Sequence, residues 1–219
     1  MNTVSYRIPS FTELYYNSPA NIGNDQLAPE ESVSAELGVK FYAKRIKYDV
    51  SVFRRNATNL IDWIRENDTM PWRVVNLSQI NTWGLCSSIR IFPRLIWGEK
   101  AFFNKVSLSY SYLNQSQLHL DYLSKNVLDY MQHQLILSTF YSIGKYIRQS
   151  WNVRFEDRFD YVPHTLIDSK LIYSRSRYNI YLEVSNLLGV KYYEFGGIPM
   201  PGRWVRFGVD MRIPLQAIE

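Results

Sequence analysis

The stretch Arg203-Trp-Val-Arg-Phe-Gly-Val-Asp-Met-Arg-Ile213 divides at period two. Val205, Phe207, Val209, Met211 and Ile213 fall on one side, and Trp204, Arg206, Gly208, Asp210 and Arg212 on the other. Successive side chains of a strand point to opposite faces, so this segment presents one apolar and one charged surface. Two arrangements satisfy that split: a sheet half-buried on a core, or a barrel strand with lipid outside and water inside.

The alternation recurs upstream. Val33, Ala35, Leu37, Val39 and Phe41 oppose Ser34, Glu36, Gly38 and Lys40, and after a basic turn at Lys44-Arg45 a strand runs from Tyr48 towards Trp63. Arg54 interrupts its apolar face, which fits only if the chain has by then left an apolar band. Further strands are expected over Val74 to Phe92, Lys105 to Tyr112, Leu128 to Tyr141, Ser150 to Glu156, Ile167 to Tyr173 and Tyr178 to Ser185. Leu135-Ile136-Leu137 breaks the period, so a helix is the competing reading there. The expected fold is all-β: an antiparallel meander of about ten strands.

Connections decide between the two arrangements. Short links fall near residues 44, 93–100, 144 and 175, and long polar ones near 9–29, 65–73, 114–125, 157–163 and 188–202. Long loops kept at one end and short turns at the other are the habit of outer-membrane barrels. Tyr42, Tyr48, Phe92, Phe102, Tyr141, Tyr146, Tyr173 and Tyr178 flank the short links, where an interfacial girdle is expected. Glu36, Lys40, Asp49, Arg90, Arg154, Glu156, Asp168, Lys170, Glu183, Arg206 and Asp210 all fall on the non-apolar faces. In a dry core each would cost several kcal/mol unless paired, whereas a wet lumen accepts them.

Composition narrows the function. Aromatic residues make up 16% of the 219 residues and hydrophobic residues 46%, a chain rich in strand formers but not oily. The net charge of +5 is spread without a basic block, so no nucleic-acid partner is expected. One cysteine, Cys86, excludes an internal disulfide framework and a cysteine metal cage, and His119, His133 and His164 lack ligand spacing. No cofactor and no metal are expected. The start, Met1-Asn-Thr-Val-Ser-Tyr-Arg, has no apolar signal segment, and no apolar run is long enough for a transmembrane helix. No nucleophile, base and orienting group come together, which disfavours an enzyme. Glu156-Asp157 and Asp160 read as loop charges. Asn56, Asn67, Asn76 and Asn114 fit a glycosylation sequon short enough to arise by chance.

Two segments carry a family likeness. Arg7-Ile-Pro-Ser-Phe-Thr-Glu-Leu-Tyr-Tyr16, with Gly23-Asn24, Leu27, Pro29-Glu30, Ser32, Glu36 and Gly38, resembles a loop-and-strand segment of TonB-dependent outer-membrane receptors. Asn186-Leu-Leu188, Tyr192-Tyr193, Gly196-Gly-Ile-Pro199 and Pro201-Gly-Arg203 are similar to that family's last loop, and Asn59-Leu-Ile-Asp-Trp63 resembles the cobalamin-receptor branch. The resemblance implies a 22-stranded barrel around an N-terminal plug. Residues 1–219 would then be a C-terminal section of the barrel without the plug: a partial, open, curved transmembrane β-barrel in the cell outer membrane.

It also implies uptake of a scarce chelate, cobalamin or an iron-siderophore, with TonB, ExbB and ExbD acting through the missing plug, and contacts with outer-membrane lipid and the barrel-insertion machinery. Two positions depart from the family pattern. Ile213 stands where an aromatic residue usually closes the last strand, and Cys86 where a lumen glutamate is common. Candidate ligand contacts on the long loops are Tyr15, Tyr16, Trp63, Trp72, Arg73, Tyr122 and Tyr161, because aromatics and Arg give large contact area at low entropic cost. The same aromatics could instead pack the loops on one another. A soluble β-sheet ligand-binding module and a non-functional gene remnant are the alternative readings.

Overall fold

The computed structural model describes residues 1–116, 122–125, 130–194 and 198–211. The first strand β1 (Asn2–Arg7) is followed by a short helix α1 (Phe11–Tyr15) and two-residue strands β2 (Asn17–Ser18) and β3 (Asn21–Ile22). Long strands follow: β4 (Glu30–Tyr42), β5 (Ile46–Arg65) and β6 (Trp72–Ile91). Helix α2 (Pro93–Trp97) and a 3-10 turn (Gly98–Lys100) lead to β7 (Phe103–Gln115), and β8 (Leu123–Ser124) precedes β9 (Met131–Ile143). Then come β10 (Ile147–Arg158), β11 (His164–Ser174), β12 (Tyr178–Ser185) and β13 (Trp204–Met211).

All thirteen strands belong to one sheet, and ten of them form a continuous path, β1-β4-β5-β6-β7-β9-β10-β11-β12-β13. Each neighbour on that path pairs antiparallel, so the meander expected from the alternation is present. The sheet is curved and open, with β1 and β13 at its edges among the described residues. No second domain folds against its inner face among them. No helix among the described residues is long and apolar enough to cross a membrane, which says nothing of crossing by strands.

The two faces separate as the period requires. Val205, Phe207, Val209 and Met211 are 63, 72, 46 and 74% exposed, under no helix or second sheet of the described residues. Edge position alone does not explain this. Leu108 and Leu182, on strands hydrogen-bonded along both sides, are still 40% and 43% exposed. On the opposite face Lys170 and Arg206 flank Glu183, with Lys170 Nζ 3.0 Å from Glu183 Oε2 and the Arg206 guanidinium on Glu183 Oε1. Tyr181 lies across Gly208, its register partner, where a Cβ would collide with the ring.

Aromatic groups mark both margins of the apolar band. Near the long loops Trp83 meets Tyr112 edge-on at 5.0 Å, and His133 lies 4.7 Å from Tyr112. Arg54 pairs with Trp83 in register, at the level where the outward set turns from Val52 to Asn56 and Thr58, so it stands outside the band. At the other margin Phe102 and Tyr141 lie 4.3 Å apart, and Tyr146, Tyr173 and Tyr178 form a chain of neighbouring rings. From Trp83 to Ile91 a strand travels about 27 Å. At the ~40° tilt of membrane barrels this is about 20 Å of height, close to the usual apolar band.

Three expectations need correction, and one open choice between strand and helix is settled as strand. Tyr42 does not join the girdle: it shares the face of Lys40 and Asp49 and donates its hydroxyl to Asp49 Oδ1 at 2.6 Å, because the period turns Phe41 outward instead. Leu135-Ile136-Leu137 is strand; Ile136 points inward beside Ser109 and Gln134, which is why the apolar run lacks alternation. Glu156 and Asp157 lie within β10, not in a loop, and Glu156 is buried. Connection lengths alternate less strictly than the sequence suggests. Strands extend past the band and shorten the 66–71 and 159–163 links, while the 92–102 link is lengthened by α2. His119, Leu128, Gly196, Gly197, Arg212 and Ile213 lie outside the described residues.

Candidate functional site

At the long-loop end β5 and β6 run past their neighbours. Pairing of β4 with β5 stops at Thr58 and that of β6 with β7 at Thr82, but β5 and β6 stay paired out to Ile64 and Arg73. Unsupported, a lone hairpin is marginal. Here each free edge is taken up: Ile64 and Arg65 pair with β8, and Trp72 and Arg73 pair in parallel with β3.

Residues 8–29 fold back onto one face of the projecting hairpin as a strap. Leu27, Ile61 and Val74 form a buried apolar cluster, with Leu14 and Trp63 packed against it. Polar groups fasten the strap. Asn76 Nδ2 donates to Ala28 O at 3.0 Å and Asn59 O at 2.7 Å, its Oδ1 accepts from the Ala28 amide, and Asn24 Nδ2 donates to Val74 O. Asn59 holds φ 53°, a left-handed value that Asn tolerates better than most residues. At the strap's start Ser10 and Glu13 close a capping box on α1, and Glu13 and Glu30 share the Arg7 guanidinium. Burial works against the Glu13 charge, but the Ser10 amide and hydroxyl and then Arg7 outweigh it and hold its pKa below the ordinary carboxylate value.

Register splits the candidate side chains between the hairpin's two faces. Trp63 pairs with Val74, and Trp72 lies two residues before Val74 on the same strand, which puts both indoles on the strap face. Arg65 stacks on Trp72 at 4.4 Å, and Lys125 Nζ stands 5.9 Å from the Trp63 ring and 5.8 Å from the Trp72 ring. Two half-buried indoles under two cations form a surface suited to flat, anionic groups. Arg73 pairs with Ile64, so it lies exposed on the other face with Asp62. Asp62 is 0% exposed and accepts from the Trp63 amide and the Ser124 hydroxyl. Burial, and then the Asp62 carboxylate, push the Tyr122 phenol up in pKa.

The remaining candidates stand apart. Tyr15 ends α1 with its ring 5.1 Å from Phe11, and Tyr16 caps that helix; both are about half exposed. Tyr161 lies in the 159–163 link, its amide donating to Arg158 O at 3.1 Å. Trp63, Trp72 and Arg73 are strand residues and not loop residues, since the hairpin stays paired beyond the band.

A second polar cluster was not picked out from the sequence. Glu156, 3% exposed, accepts from Gln134 Nε2 at 3.1 Å and Arg154 Nη1 at 3.3 Å and lies 3.5 Å from His164 Nε2. The His164 ring packs on Tyr192 at 4.7 Å, and Asp168 Oδ1 accepts from the Asn186 amide, so the cluster ties down the start of the 186–203 link. Burial, and then Glu194, raise the Tyr192 pKa. Glu156 and His164 are register partners, a relation only the 159–163 turn length could have signalled. Nearer the middle of the inner face is a concavity of about 750 Å³ lined by Glu36, Lys40, Asp49, Cys86, Ser88 and Ser109. Among the described residues no group of three or more His, Cys, Asp or Glu is placed to hold a metal.

Known proteins share this architecture. A family model described as TonB dependent receptor-like, beta-barrel matches residues 3–187. The vitamin B12 transporter BtuB of Vibrio vulnificus (strain YJ016) is 30% identical over 80 residues, 36% of this chain and 13% of that protein. Among solved structures, the copper transporter OprC superposes with a TM-score of 0.72 at 14% identity, over 96% of this chain and 36% of that one. The siderophore receptor PirA from Pseudomonas aeruginosa does so with a TM-score of 0.66 at 16% identity, over 95% and 34%. The chain thus spans about a third of those structures' length. A ten-strand meander with its apolar face outward and ion pairs inward, matched by the family model over most of its length, belongs to the TonB-dependent receptor β-barrel family of outer-membrane proteins.

Proposed function

We propose that residues 1–219 are a C-terminal section of the barrel wall of a TonB-dependent transporter that takes up a small chelate, cobalamin or an iron-siderophore. The observation that carries this reading is the division of the sheet into an outward apolar band and an inward face of ion pairs. The strap-covered hairpin above the band adds a built surface at the end where a ligand would arrive. In this reading the long-loop end faces outside, and Trp72 with Arg65 and Lys125 meets the ligand first. Trp63 holds the surface in place through its packing on Leu27, Ile61 and Val74. Arg73 and Tyr122 on the hairpin's other face, with Tyr15, Tyr16 and Tyr161, are the outlying candidates.

Energy for release inward would come from TonB, ExbB and ExbD through a plug, and assembly from the barrel-insertion machinery. The test is calorimetric titration of the chain, folded in neutral detergent, with cyanocobalamin and with a ferric catecholate siderophore. One of the two should bind, and Trp72→Ala should weaken it about tenfold or more, as expected for a truncated aromatic contact. Binding of neither by a chain that keeps its sheet would overturn the ligand assignment. A chain that stays monomeric and folded without detergent would overturn the membrane reading.

A further inference from the structure

The two ends of the sheet differ in charge. In the connections at the turn end (43–45, 92–102, 144–146 and 175–177), Lys44, Arg45, Lys100, Lys145, Arg175 and Arg177 are exposed, and the only acid is Glu99. At the long-loop end the described connections instead carry Glu13, Asp25, Glu66, Asp68, Asp160 and Glu194 against three bases, Lys125, Lys191 and Arg203. The chain's overall charge of +5 therefore conceals a strongly basic rim at one margin of the apolar band.

That rim coincides with an aromatic girdle. Arg175 lies over the Tyr146 ring at 3.7 Å and near the Tyr173 ring at 5.4 Å, and its Nε donates to Tyr173 Oη at 2.7 Å. Lys145 Nζ is 5.6 Å from the Tyr146 ring. Tyr173 and Tyr178 belong to the outward set, in register with the apolar residues of β11 and β12. These cations are therefore held on the outer side of the wall, where the band ends, and not over the lumen. Tyrosine and base at that level match a lipid headgroup layer, the ring at its apolar side and the charge at the phosphates.

We propose that this rim is a binding collar for anionic phospholipid headgroups, phosphatidylglycerol in chemical class, which it gathers around the turn end of the wall. The proposal rests on the barrel reading above and adds a lipid preference to it. Lipid is favoured over an acidic protein because the charges are not gathered in one patch. Each of the four turns contributes at least one, in an arc that follows the band's margin as a ring of lipids would. Each base near an anionic surface strengthens attraction severalfold, and the effect decays over a Debye length, so it must weaken with salt.

The experiment uses the whole chain folded in neutral detergent micelles doped with equal phosphatidylglycerol and phosphatidylcholine, with retained lipid read by native mass spectrometry. Phosphatidylglycerol should be enriched by roughly tenfold at low salt, and the enrichment should fall towards unity at high salt. The same fall is expected when the six bases are replaced by glutamine. Replacing Lys191 and Arg203 at the other end should leave it unchanged. Equal retention of the two lipids by a chain with intact sheet content would overturn this proposal and leave the barrel reading standing. So would an enrichment that survives removal of the six bases, or binding of an acidic peptide without any lipid preference. Loss of the sheet in detergent, with folding in water alone, would overturn both.

Discussion

At the long-loop end Ile61 and Val74 are almost fully buried, whereas along the band Leu108, Leu135 and Leu182 stay about two-fifths exposed despite hydrogen bonds on both sides. Both sets lie on strands of one sheet and are chemically alike. The difference is what covers them: a strap of the chain's own residues at the end, and nothing of the chain's own along the band. Within one molecule the same residue types thus serve a protein-packed core and a surface that only lipid can complete. Such a band exposed to water would be an aggregation hazard, so its preservation in strand after strand requires a bilayer.

Substitutions can pull this contrast apart. The largest effect is expected for Leu182→Arg, which places a charge in the band and should cost about 2–4 kcal/mol in a bilayer. A residue of the same strand on the other face offers the control: Asn179→Arg should change stability by less than about 0.5 kcal/mol. Urea titration of the folded chain in vesicles measures both, and equal costs would remove the distinction between faces. Val74→Ala should cost about 1–2 kcal/mol through lost burial and an imperfectly refilled cavity. Unlike the band substitution, it should act equally in detergent and in lipid and should speed proteolysis within 8–29.

A smaller effect concerns Glu13, whose pairing with Arg7 and Ser10 holds the strap's start. Its folded pKa lies below the ordinary carboxylate value, so its contribution is fully present above an unfolded pKa of about 4.3 and is lost as pH falls through the lowered folded pKa. The exposed Arg7 partner limits the effect to about 1 kcal/mol or less. Proteolysis of the strap, assayed with an acid-tolerant protease, should accelerate on acidification in the natural chain. In Glu13→Gln it should already be fast and nearly independent of pH, and identical profiles would remove Glu13 from this role.

The alternation made the strands and their facing legible, because a buried or lipid-facing set at period two has no other economical reading. It failed where a residue faces inward but is apolar, as Ile136 does, since the lumen accepts either kind. Loop limits were misplaced around Trp63, Trp72 and Arg73 because polar and aromatic residues leave no alternation when a hairpin extends beyond the band. The candidate residues are chosen by type alone, and their division between the two faces of that hairpin depends on register with β6, which residue spacing does not reveal. The Glu156 cluster needed the same information. The basic rim was visible residue by residue, yet its meaning required knowing which links share an end.

The most direct test of the central claim is a nitroxide scan of β12 in bilayers, with Cys86 replaced by serine and single cysteines placed from 179 to 184. Labels at Ile180, Leu182 and Val184 should collide mainly with oxygen dissolved in the lipid, and those at Asn179, Tyr181 and Glu183 mainly with a water-soluble nickel chelate. A flat profile, or shielding of the even positions from both probes, would contradict a wall that faces lipid on one side and water on the other.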